Sequence, residues 1–192
     1  ESEWNKLNLF TGWEDVSLTD QGKIEAKLAA FAIQNLKVDV NHAYTSALKR
    51  AKDTLEIVLY ILKKDIPIIS DQALNERNYG SLTGMNKDEA RNKWGDKQVK
   101  LWRRSYAVAP ENGESLKDTC ERTIPYFKKN ILPKLYDGEN VIITAHGNSL
   151  RSIIMYVEEL SEEEIISVET TTGIPIVYEY ENKNIIKKTE LF

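Results

Sequence analysis

The strongest constraint on the fold is a five-residue run, Val141-Ile142-Ile143-Thr144-Ala145. It follows the turn pair Asp137-Gly138 and gives way at once to His146-Gly147-Asn148-Ser149 and a further helical pattern. A short apolar run rich in β-branched residues, without polar alternation, predicts a strand buried on both faces. Such strands occur in parallel sheets whose connecting helices cover each side, so this one run points to an α/β architecture.

The remaining pattern agrees. Thr19 is placed to cap a helix reaching about Leu36, with Ile24, Leu28, Phe31 and Ile33 spaced for one buried face. An extended stretch over His42 to Ser46 precedes a helix from Ala47 to Lys63, and Pro67 to Ser70 reads as a strand. Ala73 to Lys87, with Gly80 and Gly84, has no sustained period and reads as a long loop. Helices are expected around Lys87 to Trp94 and Asp96 to Ser105, and another from the capping box Ser115/Asp118, kinked by Pro125. Ser161 and Glu164 form a second capping box, and Ile174 to Tyr180 with Ile185 to Thr189 read as a terminal strand pair. The expectation is a three-layer α/β sandwich over residues 1–192, a mainly parallel sheet with helices on both faces, in one domain.

Composition removes several classes of function. A net charge of −4 argues against nucleic acid as the main partner, because a phosphate backbone needs a broad cationic face. No apolar run approaches the roughly 20 residues that span a bilayer. The single cysteine, Cys120, is expected to pack in the core of a protein from a reducing compartment. A cytoplasmic setting follows as the expectation. The chain opens on Glu1 and not on methionine, so an upstream extension is expected too.

Ligands of such sheets bind where strands end and helix N-termini present backbone N–H groups. His146 lies at such a point, either as a functional imidazole beside Gly147 and Asn148 or as a structural histidine in a tight turn. Arg50 sits where a strand gives way to a helix; it could fork onto phosphate or be a solvated helix arginine. Glu76, in the stretch Leu74 to Gly80, could exchange protons or form an ion pair with Arg77. Arg103 and Arg104 form a basic focus in an acidic protein, of a size suited to a small polyanion.

Together these segments carry a resemblance. Glu1 to Asn5, Leu9-Phe10-Thr11-Gly12-Trp13, Tyr44 to Ala51, Leu74 to Gly80, Trp102-Arg103-Arg104-Ser105-Tyr106, Ala145 to Ser149 and Thr172-Gly173-Ile174-Pro175 resemble, in order, the cofactor-dependent phosphoglycerate mutases of the histidine phosphatase superfamily. The resemblance covers essentially the whole chain, and the Trp-Arg-Arg block separates it from generic phosphatases of that superfamily. It implies interconversion of 3-phosphoglycerate and 2-phosphoglycerate through a phosphohistidine primed by 2,3-bisphosphoglycerate, with no metal.

The resemblance also implies roles. Arg50 and His146 would stabilise the transferring phosphoryl group, and Glu76 would exchange the proton of the substrate hydroxyl. Ser2, Asn5, Thr11, Gly12, Gly147 and Asn148 would contact phosphate, while Tyr79, Lys87, Arg103 and Arg104 would hold the rest of a phosphorylated three-carbon acid. The family carries an Arg-His-Gly segment, with the phosphoryl-accepting histidine and its strand, immediately before the position of Glu1. Here the only histidines are His42 and His146, and the resemblance gives His42 no role. A short connection from Pro110 to Ser115 leaves monomer and homodimer both open. The alternatives are a phosphatase acting on small phosphometabolites, or a non-catalytic phospho-ligand-binding module.

Overall fold

A computed structural model describes residues 1–192. In chain order the elements are α1 (Glu3–Lys6), α2 (Asp20–Asn35), β1 (His42–Ser46), α3 (Lys49–Leu62), β2 (Ile68–Asp71), α4 (Lys87–Trp94), α5 (Asp96–Arg104), α6 (Leu116–Tyr126), α7 (Leu132–Tyr136), β3 (Val141–Thr144), α8 (Gly147–Val157), α9 (Glu164–Ser167), β4 (Ile176–Glu181) and β5 (Asn184–Glu190). Three strands form a parallel sheet in the order β2-β1-β3, and β4 and β5 form a separate antiparallel hairpin.

Because side chains alternate along a strand, the sheet buries two faces. Ala43 and Ile142 pack with Leu55 and Leu59 of α3 on one side. Tyr44, Val141 and Ile143 pack with Phe127, Ile131 and Ile153 on the other. The α/β arrangement with helices on both faces is as the sequence predicts. Pro125 lies inside α6, and the next five residues, Phe127–Ile131, relax into a wider helical turn, as expected where a proline removes a backbone donor.

Two expectations need correction. Helix α2 is capped by Thr19, whose hydroxyl accepts from the Gly22 N–H at 3.0 Å, but its buried residues are Gly22, Ala26, Ala29 and Ala30. Ile24, Leu28 and Phe31 are about half exposed. The helix packs against α3 and against the chain start, where a Cβ on Gly22 would fall 2.0 Å from the Glu1 carbonyl oxygen. Close approach selects the small residues, and the larger apolar stripe is left outside.

The second correction concerns β3, expected to be covered on both faces. All four of its residues are only half-buried. It is the edge of the parallel sheet, and its free side faces a cavity of about 1120 Å³ that separates it from the β4-β5 hairpin. The lining runs from Gly138 and Asn140 at one end of β3 to Glu1 and His146 at the other, and includes Ile153, Val157, Ile176 and Tyr178. It is a largely apolar slot along a strand that spans about 13 Å.

The loop from Ala73 to Lys87 contains two short helical turns, Gln72–Leu74 and Gly80–Leu82. Gly80 has φ +53°, and a Cβ there would meet the Glu111 carbonyl oxygen at 2.2 Å. Only glycine combines that backbone angle with that approach, which holds the loop against Pro110–Gly113.

Candidate active site

The carboxyl ends of the parallel strands lie side by side, with Ser46 paired to Asp71 and Thr45 to Thr144. Two residues beyond β3, His146 caps α8, its backbone N–H donating to the Ser149 hydroxyl at 3.1 Å. Its Nε2 lies 2.7 Å from the Ser46 hydroxyl, a contact between residues 100 positions apart. The ring is 8% exposed. Burial pushes its pKa well below the ordinary histidine value, and the Arg50 and Arg122 guanidiniums add repulsion. The resting imidazole is therefore neutral, and an arriving anion would favour its protonated, donating form.

That shift predicts a pH effect on stability. Unfolding restores the ring to its ordinary pKa of about 6.5, so below that pH the unfolded chain binds a proton that the folded chain refuses. Stability is fully present above about pH 6.5 and falls with acidification, at most about 1.4 kcal/mol per pH unit from this group. Urea midpoints measured between pH 7 and 5 should fall more steeply for the wild type than for His146→Gln. Parallel slopes would acquit the histidine.

Arg50, in the first turn of α3, is 8% exposed. It donates to the carbonyls of Gly12 (2.9 Å) and Glu14 (2.8 Å), which ties the Thr11-Gly12 turn to the helix start. Burial lowers its pKa, with Glu76 and Asp15 opposing. The neighbouring Thr11 hydroxyl is buried and has no hydrogen-bond partner. Thr11 lines the large cavity, with the hydroxyl itself closed off from solvent.

Glu76 does not pair with the Arg77 side chain. Its Oε1 accepts from the Arg77 N–H (2.6 Å) and from the side-chain (2.8 Å) and backbone (3.3 Å) nitrogens of Asn148. Its backbone carbonyl accepts from Trp13 Nε1 at 2.6 Å and from Arg122 at 2.9 Å. Arg122 also donates to the carbonyls of Gln72, Ala73 and Asn75 and forks onto the Glu114 carboxylate. One guanidinium thus shapes the whole segment from which Glu76 projects.

Two further cations, Lys87 and Arg103, line the same cavity. Lys87 and Arg103 are half-buried, and both pKa values are lowered first by burial and then by neighbouring cations: Lys87 by Arg103 and Arg91, Arg103 by Arg104, Arg91 and Arg77. Asp88 offsets this in part at Lys87, and two cations held together with no ion pair of their own suit an anion. Arg77, 1% exposed, supports them from beneath by donating to the carbonyls of Trp102 (2.8 Å) and Arg103 (3.2 Å), with its guanidinium 4.9 Å from the Tyr79 ring centre.

Of the residues that the sequence singles out, Ser2, Asn5, Thr11, Gly12, Arg50, Glu76, Tyr79, Lys87, Arg103, His146 and Gly147 all line the large cavity. Arg104 and Asn148 line an adjoining pocket of about 190 Å³ that shares Tyr79, Arg103 and Gly147 with it. Ser2 also caps α1, its hydroxyl donating to Asn5 Oδ1 at 2.7 Å. His42 lies at the opposite end of β1, paired with Glu139. Cys120 is buried, its thiol donating to the Ser152 hydroxyl at 3.3 Å.

Sequence reasoning missed Ser46, Arg77, Arg122 and Arg151 as supports of the site. Each works through backbone carbonyls or partners far along the chain, so spacing carries no signal for them. No three His, Cys, Asp or Glu side chains cluster to hold a metal ion, and no helix is long and apolar enough to cross a membrane.

Comparison with known proteins agrees with this geometry. The family described as histidine phosphatase superfamily (branch 1) matches residues 1–189. A protein of Parvibaculum lavamentivorans named 2,3-bisphosphoglycerate-dependent phosphoglycerate mutase is 54% identical over 192 residues, all of this chain and 91% of its own. A phosphoglycerate mutase of Schizosaccharomyces pombe is 52% identical over 179 residues, 93% of this chain and 85% of its own. Among solved structures, a mycobacterial hydrolase superposes with a TM-score of 0.83 at 18% identity, over 99% of this chain and 92% of that one, a likeness of fold. With the family pattern matched almost end to end and half the residues shared with two mutases, the chain belongs to the histidine phosphatase superfamily, branch 1.

Proposed function

We propose that the protein is a 2,3-bisphosphoglycerate-dependent phosphoglycerate mutase, interconverting 3-phosphoglycerate and 2-phosphoglycerate through a phosphohistidine in the cytoplasm. The observation that carries the reading is one cavity into which several anion-seeking groups are gathered. Arg50, His146, Lys87, Arg103, Tyr79 and Glu76 all line it, together with Thr11. The names of the relatives over 50% identical support the same reaction.

The residues have complementary tasks. Arg50 and His146 neutralise charge on the transferring phosphoryl oxygens, where positioning and electrostatics supply most of the catalysis. Glu76, fixed by Asn148, takes the proton of the attacking hydroxyl and returns it to the leaving one. Lys87, Arg103 and Arg104 retain the substrate's other anionic group, so a reaction intermediate can reorient without escaping to water. The bisphosphorylated cofactor, when bound, supplies the priming phosphoryl group, and the unbalanced Lys87-Arg103 pair fits its second phosphate.

The phosphoryl acceptor, on this reading, is a histidine upstream of Glu1, on an extended segment filling the slot beside β3 as the missing strand of a single domain. The support is the slot itself, strand-like in length, apolar in lining, and ending beside Glu1 and His146. The test is a coupled assay of the product of the full gene, together with mapping of the acid-labile label from phosphorylated substrate. Isomerised product with label upstream of Glu1 is expected. Label on His42 or His146, or phosphate release without isomerisation, would overturn the reading. In the same assay Arg103→Ala should raise the ratio of hydrolysis to isomerisation by about tenfold, as expected for one lost charge-assisted contact; unchanged partitioning would remove its retaining role.

A further inference from the structure

The small pocket beside the main cavity contains its own anion. Its walls carry three guanidiniums, those of Arg103, Arg104 and Arg151, and one carboxylate, Glu169. Glu169 lies in the segment between α9 and β4, and its Oε1 is 2.9 Å from Arg104 Nη2. Both partners remain accessible, with 41% of the Arg104 side chain and 71% of the Glu169 side chain exposed, so the pair can open without unpacking the core. Arg151, by contrast, is 5% exposed and its Nε has no partner, while its other nitrogens donate to Asn148 Oδ1 (3.3 Å) and the Ile165 carbonyl. Three cations against the Glu169 carboxylate, with Glu76 the other acid acting on Arg151, leave the pocket short of negative charge even with Glu169 in place.

We propose that Glu169 is an internal competitor for this pocket, a tethered carboxylate that occupies Arg104 until the anionic group of a bound phosphometabolite displaces it. The inference rests on reading the arginine-lined cavity as the substrate's anion site, and it names Glu169 as the residue that sets how tightly that anion is held. A carboxylate carries one charge and a phosphate nearly two, so the phosphate wins the exchange, while a weaker anion is screened out. The loop then swings from Arg104 into solvent, where its carboxylate is fully hydrated.

Removing the charge should therefore tighten binding. Titration of the wild type and Glu169→Gln with inorganic phosphate and with 3-phosphoglycerate, followed calorimetrically at low salt, should show Kd for both falling about two- to five-fold, the range that half-exposed ion pairs span. Glu169→Asp, with the charge withdrawn by one methylene, should fall between them. The advantage of the glutamine variant should shrink toward nothing at 1 M salt, where screening acts within about 3 Å. Unchanged or weaker phosphate binding by Glu169→Gln would overturn the proposal. Binding of inorganic phosphate is read without turnover, so a tighter Kd stands even if the protein proves to be a phosphatase and not a mutase.

Discussion

Replacing His146 by alanine should lower turnover by about two to three orders of magnitude, the loss seen when one preorganised donor to a developing oxyanion is removed. The ring meets the geometric demand: it stands at the carboxyl end of β3, anchored by Ser46 at 2.7 Å, in the same cavity wall as Arg50. It also meets the electrostatic one. Burial and the Arg50 and Arg122 guanidiniums hold it neutral, and the negative charge of a phosphoryl group would favour its cationic, donating form. Ser46→Ala should reproduce part of the loss by freeing the ring to rotate. Single-turnover rates separate this from weakened binding, and a loss below tenfold for His146→Ala would return the residue to a structural role.

The largest effect on stability is expected at Arg122. Its guanidinium joins the Glu114 carboxylate to the carbonyls of Gln72, Ala73, Asn75 and Glu76, with both charged side chains only 20% exposed. Arg122→Ala takes one donor from each carbonyl and leaves the largely buried Glu114 carboxylate with the Asn78 N–H but without its cation, a loss of about 3 kcal/mol. For a chain of this size that lowers Tm by roughly 6 to 12 °C. Arg122→Lys keeps the charge but not the planar fork and should recover only part. A Tm within 2 °C of wild type for the alanine variant, or full recovery with lysine, would show that the loop is held by other contacts. Because Glu76 projects from this segment, activity should fall in the alanine variant even well below its melting point.

The two parts of the molecule differ in how far the sequence discloses them. The parallel architecture was legible in the short β-branched run Val141-Ile142-Ile143, although its strand proves only half-buried, and in Thr19 and Ser115, whose side chains cap helices where expected. The inward face of α2 was not. Ile24, Leu28 and Phe31 satisfy apolar periodicity, yet Gly22, Ala26, Ala29 and Ala30 share another face of the helix, and the distance between helices decides which face turns in. In the site, His146, Glu76 and Arg103 announce themselves by chemistry and by family resemblance. Ser46, Arg77 and Arg122 do not, because each is defined by the atom it touches, and those atoms lie 25 to 100 residues away.

The open side of β3 has a consequence for how the molecule behaves in company. Val141–Thr144 is uncharged, apolar and hydrogen-bonded along one edge only, without the lysines, prolines or bulges that usually guard such an edge. Whatever extended chain reaches it first gains a ladder of backbone bonds. A segment of the same chain lying there would hold that ladder and deny it to neighbours.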